Sequence, residues 1–159
     1  MTDQNQRSDK PEGERRAFYS FFRVIAASLF RFIYRAEIVN AEHIPAQGGV
    51  LLISNHQSFL DPPVLGCFVR WRQFAFMAQA YLFRVPILSW LIRGLNSVPI
   101  SGDGSDAATI KALSKTLRDG RPVVVFPEGA RTQDGTMQPF KRGVVLLMRR
   151  ATVPVVPAA

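Results

Sequence analysis

Apolar residues along this chain fall into short blocks with two rhythms, one helical and one extended. Residues 17–38 contain no Pro or Gly and carry apolar side chains at helical spacing, which predicts a first helix. At about 100° per residue, Ser20, Arg23, Ser28, Arg31 and Arg35 share an arc of roughly 140°. Phe21, Phe22, Ile25, Leu29, Phe30, Phe32 and Ile33 fill most of the remainder, with Val24 the exception. A turn over 45–49 leads to the block Val50, Leu51, Leu52, Ile53, which predicts a buried strand over 50–54. Residues 55–61 are polar and open a helix that holds Pro62 and Pro63 in its first turns, where proline is tolerated. Strands are predicted over 74–78 and 97–100, with an apolar segment over 80–93 that Pro86 kinks or splits. Ile110, Leu113 and Leu117 place a surface helix over 105–119, stopped by Gly120. The β-branched run 123–126 predicts a strand, 141–150 a helix and 153–156 a final strand. Strands alternating with helices define an α/β fold: a mixed, largely parallel sheet flanked by helices.

The first helix has an unusual composition. Three arginines stand opposite Phe21, Phe22, Phe30 and Phe32, and within the helix no acid appears before Glu37. That is the makeup of an amphipathic helix lying in the headgroup zone of a membrane, although packing against a core is the commoner fate of such segments. The arginines interrupt it too often for a run of about 18 uncharged apolar residues, which disfavours a spanning role. Three segments follow: a polar, disordered tail over 1–16, the interfacial helix over 17–38 and an α/β domain over 39–159.

With 159 residues the chain is long enough for one domain with a core. Its 20 Lys and Arg against 12 Asp and Glu leave a net charge of +8, which favours anionic partners without choosing among them. Cys67 is the only cysteine, so an intrachain disulfide is excluded, and with only His43 and His56 beside it a structural zinc site is excluded too.

Chemistry concentrates just after predicted strands, where loops of open α/β sheets converge. His56 precedes Asp61 by five residues across a strand-to-helix turn, so the carboxylate can reach back, hold one ring nitrogen and leave the other to accept a proton. Taken alone, the same pair fits a helix cap. No G-x-S-x-G turn supplies a serine nucleophile, so the nucleophile would be a substrate hydroxyl. The turn Phe126-Pro127-Glu128-Gly129-Ala130-Arg131 offers a forked donor for an anion and a glycine that permits close approach. Lys141 and Arg142 open a helix whose dipole adds to their attraction for phosphate.

The ordered set resembles the glycerolipid acyltransferase family, typified by 1-acylglycerol-3-phosphate acyltransferases. N-H-x-S-x-x-D matches at Asn55, His56, Ser58 and Asp61. F-P-E-G-x-R matches at Phe126 to Gly129 and Arg131, and V-P-V-V-P at Val153 to Pro157. The resemblance implies that His56 and Asp61 are catalytic, the imidazole removing a proton from the acceptor hydroxyl. Glu128, Gly129, Arg131, Lys141 and Arg142 would bind the acceptor. It implies transfer from acyl-CoA or an acyl carrier protein to a lysophospholipid, with no metal or organic cofactor. A membrane phospholipid surface, on the cytoplasmic face, would be the partner rather than nucleic acid.

Two departures from the family pattern stand out. Ser101 occupies the place of a basic residue that grips phosphate, so either Arg93, Lys141 or Arg142 compensates or the acceptor is another lyso-lipid. The chain ends at Ala159, directly after the last block, which implies a truncated domain and keeps a catalytically silent membrane-binding fragment as the alternative.

Overall fold

A computed structural model describes residues 12–101 and 107–159, with side chains from residue 16 onward. The first helix, α1, runs over Glu12–Tyr34. Strand β1 (Leu51–Ser54) leads into α2 (Asp61–Phe68), and β2 (Ala75–Gln79) into a 3-10 turn at Ala80–Arg84 and then α3 (Pro86–Gly94). After β3 (Val98–Ile100) come α4 (Ala107–Arg118), β4 (Val123–Val125), α5 (Arg142–Ala151) and β5 (Val155–Ala158).

The strands form one sheet in the order β3-β2-β4-β1-β5. Every pairing is parallel, with Leu51 opposite Val123 and Leu51 also opposite Val155. The expected mixture is therefore resolved as parallel throughout the described strands. Side chains alternate between two apolar layers, as strand geometry requires. Val123 and Val125 pack with Leu51 against Ile110, Leu113 and Leu117 of α4 and Leu147 of α5. Val124 points the other way, with Leu52, Phe74, Phe76 and Phe126. Covering both faces of a parallel sheet explains why its strands read as unbroken apolar runs.

Several boundaries moved for identifiable reasons. Residues 1–11 of the expected tail lie outside the described residues, but α1 starts at Glu12 rather than Ala17, in a stretch rich in helix-forming Glu and Arg. It stops at Tyr34 rather than Ile38 because Arg35 takes a left-handed φ of 51° and the Ala36 N–H donates to the Phe30 carbonyl at 3.2 Å. Pro86 splits the apolar segment by serving as the first residue of α3. The helix predicted from 105 begins at Ala107, its first two residues lying outside the described set. The last strand is shifted to Val155–Ala158 and includes Pro157, which an edge strand tolerates because one side of its ladder is unpaired.

Helix α1 docks by one face only. Tyr19 and Phe30 are buried, and the Tyr19 hydroxyl accepts the Phe74 N–H at 3.2 Å, a burial that pushes its phenol up to about 12. Phe18 meets Trp90 of α3 edge-on at 4.7 Å. The outer face leaves Phe21 at 62%, Phe32 at 89% and Ile33 at 63% exposure. Arg16–Tyr34, 19 residues long, contains an 18-residue window of mean hydropathy 1.3, enough by length and composition alone to cross a membrane. The docked face is therefore the one around Tyr19 and Phe30, with Phe22 and Arg23 half-buried beside them, and the exposed face carries Arg31 and Arg35 as well as Phe21, Phe32 and Ile33.

Candidate active site

Adjacent parallel strands deliver their following loops to the same end of a sheet. Since β1 and β4 are neighbours in register, His56, two residues past β1, meets the turn that follows β4. His56 stacks on Phe126 with ring centroids 4.0 Å apart and planes 17° from parallel. Its Nδ1 lies 2.8 Å from Oδ2 of Asp61. The same carboxylate oxygen accepts the Gln57 and Ser58 N–H groups, both at 2.8 Å. An oxygen drawing in two backbone N–H donors is an acceptor, so in the neutral ring this contact favours the tautomer with its proton on Nδ1, which leaves Nε2 able to accept one. The first residue of α2 is Asp61 itself, with Pro62 behind it, so the helix start holds the carboxylate in place.

The turn after β4 is bound into the same frame. Glu128 is 3% exposed, its Oε1 accepts the His56 N–H at 2.8 Å, and its Oε2 accepts the Gln138 N–H at 2.9 Å. The Thr132 N–H donates to the His56 carbonyl at 2.8 Å. Gly129 adopts φ 74°, a conformation that favours glycine, and its N–H closes the turn onto the Phe126 carbonyl at 3.0 Å. Arg131 lies over the Phe59 ring, 3.5 Å from its centroid. In the segment that returns to α5, Asp134 accepts from the Thr136 and Thr132 hydroxyls. The hydrogen bonds from Thr136 lead in holding its carboxyl down at about 2.

Between α1, α2, α3 and the end of β2 lies a cavity of about 640 Å³. His56, Phe59, Gly129 and Arg131 line it on one side, and Tyr19, Phe22, Cys67, Leu91 and Ile92 are among its apolar walls. Arg23 and Arg131 are the cations on its lining, which has no Asp or Glu. Cys67 is buried, and desolvation pushes its thiol up to about 11, which removes it as a nucleophile at neutral pH.

The structure thus gathers His56, Asp61, Gly129 and Arg131 at one site. Glu128 is buried, with each carboxylate oxygen accepting a backbone N–H, and it is not among the residues that line the cavity. Lys141 and Arg142 are exposed at the start of α5 and lie outside the cavity lining as well. Ser101 follows the edge strand β3, separated from β1 by β2 and β4. Arg23 and Phe126 were not singled out from the sequence. Phe126 lay inside a quoted motif, and its stacking partner became visible only with the register of β1 on β4. Arg23 carried no local signal, because only the docking of α1 turns it to the cavity. Among the described residues no cluster of His, Cys, Asp and Glu could hold a metal ion.

An imidazole paired with a carboxylate at the C-terminal edge of a parallel sheet, on the wall of a largely apolar cavity lined by two arginines, is an arrangement that can support proton transfer. The sequence model described as Acyltransferase matches residues 35–159, and the chain belongs to that family. Relatives include a chloroplastic 1-acyl-sn-glycerol-3-phosphate acyltransferase of Brassica napus, 30% identical over 90% of this chain and 42% of its own length. The Bacillus subtilis enzyme of the same name is 29% identical over 77% of this chain and 61% of its own, and the human alpha form is 33% identical over 80% and 46%. The crystal structure of the 1-acyl-sn-glycerophosphate acyltransferase PlsC from Thermotoga maritima superposes with a TM-score of 0.72 at 28% identity, covering 94% of this chain and 60% of that one. The chain therefore spans about half the length of the curated relatives that it matches.

Proposed function

We propose that this chain carries the acyl-transfer site of an enzyme that esterifies the free hydroxyl of a lysophospholipid, 1-acylglycerol-3-phosphate first among them, giving phosphatidate. The observation that carries this reading is the His56–Asp61 pair, with Nδ1 2.8 Å from the carboxylate, at the wall of an apolar cavity lined by two arginines and no acid. Nε2 takes the hydroxyl proton as the oxygen attacks the thioester carbonyl carbon. The tetrahedral intermediate then collapses, the C–S bond breaks, and the imidazolium returns its proton to the departing thiolate. Asp61 stabilises the imidazolium and keeps the ring in one tautomer. The apolar walls suit an acyl chain, and Arg131 and Arg23 suit the phosphate. The thioester arrives already activated, from acyl-CoA or an acyl carrier protein, so the chemistry calls for no metal or organic cofactor.

The outward face of α1 supports a membrane location on the same reading. Phe21, Phe32 and Ile33, with Ile87 and Trp90 of α3, form exposed apolar surface next to the cavity walls contributed by the same helices. Seated at the cytoplasmic leaflet, that surface would let a single-chain lipid enter from the bilayer and a two-chain lipid return to it.

The test is incubation of the protein in phospholipid vesicles with radiolabelled acyl-CoA or acyl carrier protein and, in parallel, lysophosphatidate or a lyso-aminolipid. Thioester-dependent phosphatidate, reduced about 10²–10⁴-fold in His56→Ala, is the expected result. Turnover restricted to the lyso-aminolipid would reassign the acceptor. Vesicle binding without turnover of any pair would leave a lipid-binding fragment in its place.

A further inference from the structure

We infer that Glu128 is a positioning residue for His56 rather than a ligand for the acceptor, a conclusion that rests on the reading of His56 as the base. A carboxylate buried to 3% exposure is costly unless its oxygens are met by donors. No ion pair involves Glu128 among the described residues. The donors are two backbone N–H groups from separate segments: His56, just after β1, and Gln138, in the return to α5.

The consequence is a clamp on both sides of the His56 α-carbon. Its N–H is held by Glu128 and its carbonyl by the Thr132 N–H, each at 2.8 Å. The Phe126 ring then fixes the imidazole plane, and Asp61 fixes its rotation. Phe126 and Glu128 belong to one turn, which the Lys141 N–H ties down further by donating to the Pro127 carbonyl at 2.8 Å. One short turn therefore sets both the height and the tilt of the imidazole. Gly129 and Arg131 of that turn reach the cavity, whereas Glu128 points beneath it. The turn divides its labour: Phe126, Gly129, Ala130 and Arg131 line the cavity, and Glu128 holds the backbone of the base.

Glu128→Gln distinguishes positioning from binding. Gln keeps the size but replaces one accepting oxygen with an NH2 that faces a backbone N–H, so at least one of the two bonds is lost. Glu128→Asp keeps the charge and draws it back by one methylene, out of reach of at least one donor. Both variants are expected to lose about 10–100-fold in kcat through a misplaced base, with KM for lysophosphatidate within about twofold of the parent. In backbone amide exchange followed by NMR, the His56 N–H is expected to be protected in the parent and to exchange at least about tenfold faster in Glu128→Gln. A rise in KM at unchanged kcat would make Glu128 an acceptor ligand and overturn the inference, and so would unchanged kinetics in both variants. If the parent does not turn over at all, the acyltransfer reading fails, and the exchange measurement still decides the clamp. A His56 amide unprotected in the parent would overturn the clamp even if neither variant folds.

Discussion

Asp61 receives the imidazole and two backbone N–H groups on a single oxygen, and that crowding is what makes its partnership with His56 directional. Asp61→Asn keeps the volume but offers an amide NH2 that can turn toward Nδ1 and invert the tautomer. Turnover is expected to fall by about 10³-fold or more with little change in KM, read from steady-state rates of phosphatidate formation. Cys67 gives a pH-dependent test that does not touch catalysis. Burial raises its pKa to about 11 from 9.0, so its thiolate is scarce below that value and grows as pH rises through it. At pH 8 alkylation by iodoacetamide is expected to be about a hundredfold slower than for the unfolded chain in urea, from the thiolate fraction alone. Equal rates in the two states would mean that the α1–α2 contact around Cys67 is open.

Helix α1 and the closing of α5 carry the tests that belong to elements. Thr152 ends α5 with φ 49°, a left-handed conformation that is strained for a β-branched residue. Thr152→Gly is therefore expected to raise unfolding stability by about 1 kcal/mol, measured by urea denaturation. No gain would show that other contacts of Thr152 offset the strain. Gly94 sits where a Cβ would run into the Phe18 ring, so a side chain there would displace Phe18 from the α1–α3 contact. On the far side of α1, Phe21 and Phe32 are exposed apolar rings. Replacing both with Asp is expected to weaken sedimentation with anionic phospholipid vesicles at least about tenfold, since each ring contributes about 1.5–3 kcal/mol when buried in lipid. Unchanged sedimentation would place the membrane contact elsewhere.

At the scale of the whole molecule, the strands and the family were legible because both leave local traces. Val123 to Val125 and Leu51 to Ile53 read as buried strands from composition alone, and the motif residues sit within a few positions of one another. The pairing order was not legible: β4 lies between β1 and β2, and only that arrangement brings Phe126 under His56 and Glu128 onto its amide. Residue types and spacing announced Glu128 as charged and near the site, and no spacing rule says which way a side chain at a turn will point. The cavity was hidden for the same reason, since its walls come from α1, α2, α3 and β2 at once. Arg23, read from periodicity as facing headgroups, is half-buried because it lies beside Tyr19 and Phe30 on the docked face of α1, whereas Arg31 and Arg35 stay exposed.

All of this converges on the protonation of one ring. Selective 15N labelling of histidine and NMR near pH 8, with His56→Ala used to assign the signals, reads which nitrogen of His56 carries the hydrogen. The expected spectrum has Nδ1 protonated, in the hydrogen bond to Asp61, and Nε2 bare. A neutral ring with its proton on Nε2 would leave no base facing the cavity and would contradict the account.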